Sequence, residues 1–120
     1  THNAWRNTEP KNGGIGPVNF TMVADLNHSI AKSYGVETED GSVALRGTFL
    51  IDKKGIVRHS VVNDLPLGRD IDELIRVIEA LIHFEKHGEV CPAGWKSGKE
   101  SMKASPEGVK KYLGECAEKL

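Results

Sequence analysis

Between Asp70 and His87, the residues Ile71, Leu74, Ile75, Ile78, Leu81 and Ile82 recur at i, i+3, i+4, i+7, i+10 and i+11. That period sets them along one face of an α-helix and does not suit a strand, whose faces alternate every second residue. Asp70 with Glu73 three positions on has the spacing of a helix-starting capping box. A stripe of this length has to be covered by a second apolar layer, so the helix is expected to pack on a sheet. The sheet is expected directly upstream. Leu45 to Ile51 and Ile56 to Val62 are rich in strand-forming residues and flank Asp52-Lys53-Lys54-Gly55, which reads as a hairpin turn with Gly55 supplying the special geometry.

The remaining elements follow from breakers and caps. Residues 2–8 are expected to form a short helix with Trp5 on its buried side. Glu9 to Pro17 carries Pro10, Gly13, Gly14 and Gly16 and reads as a loop. The Gly13-Gly14-Ile15-Gly16 run lacks the preceding strand and following Lys-Ser/Thr of a phosphate-binding loop, so a tight turn is preferred. Val18 to Ala24 is expected as a strand, followed by a short helix capped by Asp25 or Asn27 and closed by Gly35. Residues 37–42 read as a polar surface turn and Asn63 to Arg69 as a loop. Ser105-Pro106 opens a last helix, with proline at its first position and Val109, Tyr112, Leu113 and Cys116 as its apolar stripe.

The chain has 120 residues and net charge −1, with acidic and basic residues interspersed. One domain is the prior for this length, and the charge pattern predicts neither a nucleic-acid nor a membrane partner. No apolar run is long enough to span a bilayer. Two cysteines, Cys91 and Cys116, are too few for a disulfide scaffold and suggest a cytoplasmic protein with reduced or redox-active thiols. The chain opens on Thr1-His2-Asn3-Ala4-Trp5 without an initiator methionine, which suggests that the first half of a domain lies outside the sequence.

Cys91 sits in Gly88-Glu89-Val90-Cys91-Pro92-Ala93-Gly94-Trp95-Lys96, just past the long helix. Pro92 pushes Cys91 toward an extended backbone, and Gly88 and Gly94 leave the segment adaptable. The thiol is expected in an accessible arm, placed to form a disulfide in a redox cycle. Cys116 falls on an apolar stripe and reads as a buried or half-buried small hydrophobe. The natural division is therefore residues 1–87 as the domain body and 88–120 as an arm.

The expected order, α-β-α-β-β-α-α, is α/β, and a hairpin followed by a helix is how thioredoxin-like domains end. Several runs then coincide with one family: Thr1-His2-Asn3-Ala4-Trp5, Gly13-Gly14-Ile15-Gly16, Met22-Val23-Ala24-Asp25, Leu45-Arg46-Gly47-Thr48-Phe49-Leu50-Ile51-Asp52, Val62-Asn63-Asp64-Leu65-Pro66-Leu67-Gly68-Arg69 and His87-Gly88-Glu89-Val90-Cys91-Pro92-Ala93-Gly94-Trp95. In these runs the chain resembles the C-terminal part of a typical two-cysteine peroxiredoxin of the bacterial alkyl hydroperoxide reductase C type. The fold class this implies is the C-terminal portion of a thioredoxin-like peroxiredoxin fold, with the N-terminal strands and peroxidatic helix not in the sequence.

The resemblance implies a cofactor-free thiol peroxidase acting on hydrogen peroxide and alkyl hydroperoxides through an intersubunit disulfide. It implies a homodimer, commonly assembled as a ring of five dimers, and a thioredoxin-type or flavoprotein disulfide reductase as partner. Cys91 matches the resolving cysteine. The peroxidatic site of the family needs Pro seven and Thr three residues before its cysteine, where Phe84 and Gly88 stand here. Arg46 matches the arginine beside the peroxidatic sulfur, where a fixed positive charge favours thiolate. Arg69 matches a second arginine that supports the first through a carboxylate supplied by the half of the domain outside the sequence. Trp5 and Trp95 are expected to pack around the disulfide-forming region. Tyr112-Leu113 stands where the family usually has Tyr-Phe, which argues against strong over-oxidation sensitivity.

No Pro-x-x-x-Thr-x-x-Cys motif occurs in these residues. The expectation is therefore a chain that supplies the resolving half, lacks the peroxidatic cysteine and is inactive alone. Two alternatives compete: an inactive fragment serving as an interaction module, and a metal-binding domain using His83, His87, Glu89 and Cys91.

Overall fold

The computed structural model describes residues 1–119 and divides into two compact units, Thr1–Leu45 and Arg46–Leu120. The first unit holds helix α1 (His2–Arg6), a 3₁₀ turn (Pro10–Asn12) and helix α2 (Ser29–Ser33). Trp5 is 46% exposed, which corrects its expected burial. Its indole N–H reaches out to donate to the Gly13 carbonyl at 3.2 Å, and its own carbonyl accepts from Ile15 N–H at 3.1 Å. The glycine run is explained by close approach: a Cβ on Gly14 would collide with the Thr8 carbonyl.

The expected strand at 18–24 does not form. Phe20 and Val23 are both 63% exposed, and no described strand pairs with the segment. An alternating pattern needs a neighbour to pair its backbone, and among the described residues no strand lies beside this one. Helix α2 starts later than expected because the Asp25 carboxylate accepts from Ile30 N–H and Ala31 N–H at 3.1 and 2.9 Å, across His28 at φ 61°. The Ala31 bond leads in holding the Asp25 carboxyl below its ordinary value. Gly35 ends the helix at φ 68° as expected, and Val36 behind it is buried. The polar turn is tied by Asp40, whose carboxylate accepts from Thr38 Oγ1, Ser42 N–H and Ser42 Oγ.

The second unit opens with the expected hairpin, β1 (Arg46–Ile51) antiparallel to β2 (Val57–Asn63), with Phe49 opposite Ser60 and an irregularity between Leu50 and Ile51. Asp52 closes the turn by accepting from Lys54 N–H and Ile56 N–H, and Gly55 takes φ 80°. Helix α3 (Ile71–His87) begins where the Asp70 side chain accepts from Glu73 N–H and ends on Gly88 at φ 69°. Glu73 does not complete a capping box, because its carboxylate turns to Arg76 at 2.7 and 2.9 Å. The Arg58 guanidinium of β2 lies over the Phe84 ring of α3, 5.8 Å from its centroid. Helix α4 (Pro106–Cys116) starts with Ser105 accepting from Gly108 N–H.

The apolar stripe of α3 is only partly covered. Ile71, Ile75, Ile78 and Ile82 are exposed, whereas Leu74 and Leu81 are half-buried. The best-buried side chain of the unit is instead Trp95, at 3% exposure. Residues 1–63 form two helices and both strands, which corrects the expectation that the N-terminal strands and helix of the fold lie outside the sequence. Among the described residues no helix is long and apolar enough to cross a membrane.

Candidate functional site

The segment after α3 is tied down at four points, not free as its glycines suggested. Val90 and Met102 form an antiparallel bridge, with N–H···O distances of 2.8 and 3.0 Å in the two directions. The Trp95 indole N–H donates to the Lys99 carbonyl at 3.0 Å, and its ring lies 4.9 Å from that of His83 on α3. The Arg76 guanidinium, oriented by its two hydrogen bonds to the Glu73 carboxylate, donates to the Trp95 carbonyl at 2.8 Å. Ser101 donates its hydroxyl proton to Glu89 at 2.7 Å and faces His83 Nε2 at 3.0 Å. A serine hydroxyl has one proton, so with that proton on the carboxylate the Ser101 oxygen accepts from the imidazole N–H.

This framework sets the environment of Cys91. The thiol is half-buried and its sulfur lies 3.6 Å from the Ala80 carbonyl of α3, a weak S–H···O contact. Burial pushes the thiol above its ordinary pKa, while the Arg76 guanidinium pulls the other way. In this conformation the group is therefore a protected thiol with a cation at hand, not an accessible thiolate. Cys116 is also half-buried, as expected. With Pro92, Gly94, Trp95, Lys99 and Tyr112 it lines a cavity of about 310 Å³ between the arm and α4.

Arg46 and Arg69 meet at the start of β1. Arg46 Nε donates to the Leu65 carbonyl at 2.8 Å. Arg69 donates to Thr48 Oγ1 at 2.9 Å and to the Gly47 carbonyl at 3.2 Å, so it braces the two residues that follow Arg46. The loop between them is held by Asn63 Nδ2, which donates to the Gly68 carbonyl at 2.8 Å. Among the described residues neither arginine forms an ion pair.

The His and Cys side chains weighed as metal ligands are otherwise engaged. The His83 and His87 rings meet at a tilt of 45° with centroids 4.6 Å apart, Glu89 accepts from Ser101, and Cys91 faces a carbonyl. Among the described residues no three His, Cys, Asp or Glu side chains gather to hold a metal ion. Sequence reasoning missed Arg76 and Ser101. Arg76 stands three residues after Glu73 on α3, a spacing that signals a helix-surface pair but not the bond to Trp95. Ser101 carries no local signal at all.

The AhpC/TSA family model matches residues 1–60. The chain belongs to the AhpC/TSA family. A second model, the C-terminal domain of 1-Cys peroxiredoxin, matches residues 80–115, the segment that contains Cys91. Alkyl hydroperoxide reductase C of Buchnera aphidicola (subsp. Schizaphis graminum) is 59% identical over 93% of this chain and 57% of its own length. The Helicobacter pylori J99 protein of the same name is 57% identical over 99% of this chain and 60% of its own. Bovine peroxiredoxin-4 is 53% identical over 94% and 41%. The reduced 2-Cys peroxiredoxin of Plasmodium vivax superposes with TM-score 0.90 at 50% identity, over 94% of this chain and 58% of that one. The chain thus spans about 60% or less of the length of these curated relatives.

These matches correct the reading of the chain as merely the C-terminal part of a peroxiredoxin. The AhpC/TSA match begins at residue 1 and the C-terminal match runs to residue 115, so segments recognised by both models are present. The reading as an isolated resolving half, and its alternatives of an inactive module or a metal-binding domain, are corrected with it. The sequence fact itself stands: neither Cys91 nor Cys116 follows a Pro-x-x-x-Thr-x-x frame.

Proposed function

We propose that this AhpC/TSA chain serves in thiol-dependent reduction of hydroperoxides, with Cys91 as the resolving thiol. The observation that carries the reading is the Val90-Cys91-Pro92 thiol held half-buried against α3 within reach of the Arg76 charge, in a segment matched by a peroxiredoxin C-terminal model. In the step assigned to it, the Cys91 thiolate attacks the sulfur of a cysteine sulfenic acid. The new S–S bond forms as the S–O bond breaks, and the departing hydroxide takes a proton to become water. A thioredoxin-type or flavoprotein disulfide reductase then returns both thiols, which suits a cytoplasmic setting.

Arg46 is assigned to the peroxidatic sulfur, where its fixed charge and rigid donors stabilise thiolate and developing oxygen charge. Arg69 is assigned the supporting role. Its bonds to Gly47 and Thr48 favour this, although the support reaches the strand and not a carboxylate. Residues 88–120 act as the arm and 1–87 as the body, with Gly88 as the turning point between them. The family relatives described as 2-Cys peroxiredoxins support a homodimer, with a ring of five dimers as the larger assembly.

The test supplies the sulfenic acid from outside: a two-cysteine peroxiredoxin whose own resolving cysteine is replaced by serine. Adding this chain to it, with hydrogen peroxide and a thioredoxin-type reductase system, is expected to restore cycling that Cys91→Ser abolishes and Cys116→Ser leaves intact. Cycling that survives Cys91→Ser would refute the assignment.

A further inference from the structure

We propose that the Ser101 hydroxyl is a positioning group for Cys91, a latch that joins the arm to α3 and keeps the sulfur docked against the helix. The geometry has three parts. Glu89 and Ser101 each precede a partner of the antiparallel Val90–Met102 bridge, so the 2.7 Å bond between them spans that bridge diagonally. His83, on α3, meets the same hydroxyl at 3.0 Å and the Trp95 ring at 4.9 Å. Cys91 lies two residues past Glu89 and touches α3 at Ala80, one helical turn before His83. One hydroxyl therefore serves both a carboxylate on the Cys91 side of the arm and an imidazole on the helix that Cys91 touches.

The chemistry of the link makes it the weak point of the docked arm. The other tethers are a backbone bridge, the Arg76–Trp95 bond and the contact of the Trp95 ring with His83, which one side-chain change at Ser101 does not remove. The Ser101 link is lost with one oxygen atom, leaving a half-buried carboxylate and imidazole without their shared partner. The charged and titratable groups around it are His83 and Glu89, which it bonds, His87 beside His83, and Glu100, Lys103, Glu107, Lys111, Tyr112 and Glu115, which line one cavity with Ser101 and Glu89; Arg76, paired with Glu73, acts on Cys91. For attack on a sulfenic sulfur the thiol has to leave Ala80, so a group that holds it there governs how readily it is released. That consequence rests on the resolving role of Cys91; the docking itself does not.

The experiment reads the thiol directly and needs no peroxide. In a Cys116→Ser background, the rate of Cys91 alkylation by iodoacetamide is measured against pH for the parent, Ser101→Ala, Ser101→Thr and Glu89→Ala. Ser101→Ala is expected to speed alkylation at neutral pH by roughly three- to tenfold, because undocking relieves burial and a fall of one pKa unit gives about tenfold more thiolate. The midpoint of its pH profile is expected to fall toward the ordinary thiol value. Ser101→Thr keeps the hydroxyl and is expected to restore the parent profile. With Trp5→Phe added, Trp95 emission is expected to shift to the red in Ser101→Ala and Glu89→Ala and to stay at the parent position in Ser101→Thr.

If Ser101→Ala keeps its helical circular dichroism and shows the parent rate and midpoint, the proposal is overturned. If Ser101→Ala loses helix content, Glu89→Ala decides: a faster Cys91 with helix intact supports the latch, and an unchanged rate overturns it. Failure of the peroxidase reading would appear only in the coupled assay above, and would leave this alkylation result standing.

Discussion

Replacing Trp95 by alanine should destabilise the Arg46–Leu120 unit more than any other single truncation in the arm. The side chain is 3% exposed, and burying an indole removes about 200 Å² from water. At ~25 cal/mol per Å² that is about 5 kcal/mol. The extended-chain reference overstates burial, so about 3–4 kcal/mol is expected. The indole bond to the Lys99 carbonyl accounts for about 1 kcal/mol or less of this, since Lys99 is exposed and water can replace the donor. Trp95→Phe keeps most of the area and should cost about 1–1.5 kcal/mol. Urea unfolding followed by circular dichroism at 222 nm in a Trp5→Phe background measures both variants. A cost below about 1 kcal/mol for Trp95→Ala would mean that the arm is not packed on α3, and would undo the argument that Cys91 is a docked thiol.

Two further outcomes follow from caps and charges. Asp70→Ala removes the side-chain acceptor of Glu73 N–H at the start of α3 and should cost about 1 kcal/mol in the same urea assay, with Asp70→Asn nearly neutral. Asp40 accepts from Thr38 first and then from Ser42, which lowers its pKa from 3.8 to about 2. Because the folded value lies below the ordinary one, its contribution to the turn is complete above about pH 4 and lost as pH falls toward 2. Carboxyl-carbon NMR should give a midpoint near 2 for Asp40, and a midpoint near the ordinary value would show that the turn is open.

How much of this was legible in the sequence depended on how local the cause was. The hairpin, the long helix with its Asp70 cap and the final helix with Ser105 and Pro106 are set by periodicity and by residues within a turn of each other, and they formed where expected. The strand at 18–24 failed because alternation supplies a face but not a pairing partner. Trp5 and Trp95 show the same divide: both read as packing residues, yet one is 46% and the other 3% exposed. Cys91 was visible as a singular thiol flanked by glycines, and its docking was not, because Ala80, Arg76, His83 and Ser101 are brought to it by tertiary contact. The arginine pair was readable only through family resemblance; that Arg69 grips Gly47 and Thr48 needed the fold.

The most direct test is to identify which sulfur captures an oxidised partner. A peroxiredoxin carrying only its peroxidatic cysteine is oxidised with one equivalent of hydrogen peroxide and mixed with this chain in reduced form, and the product is mapped by peptide mass spectrometry. The account predicts a single mixed disulfide at Cys91, absent in Cys91→Ser. A mixed disulfide at Cys116, or a free Cys91 thiol beside a persisting sulfenic acid, would contradict it.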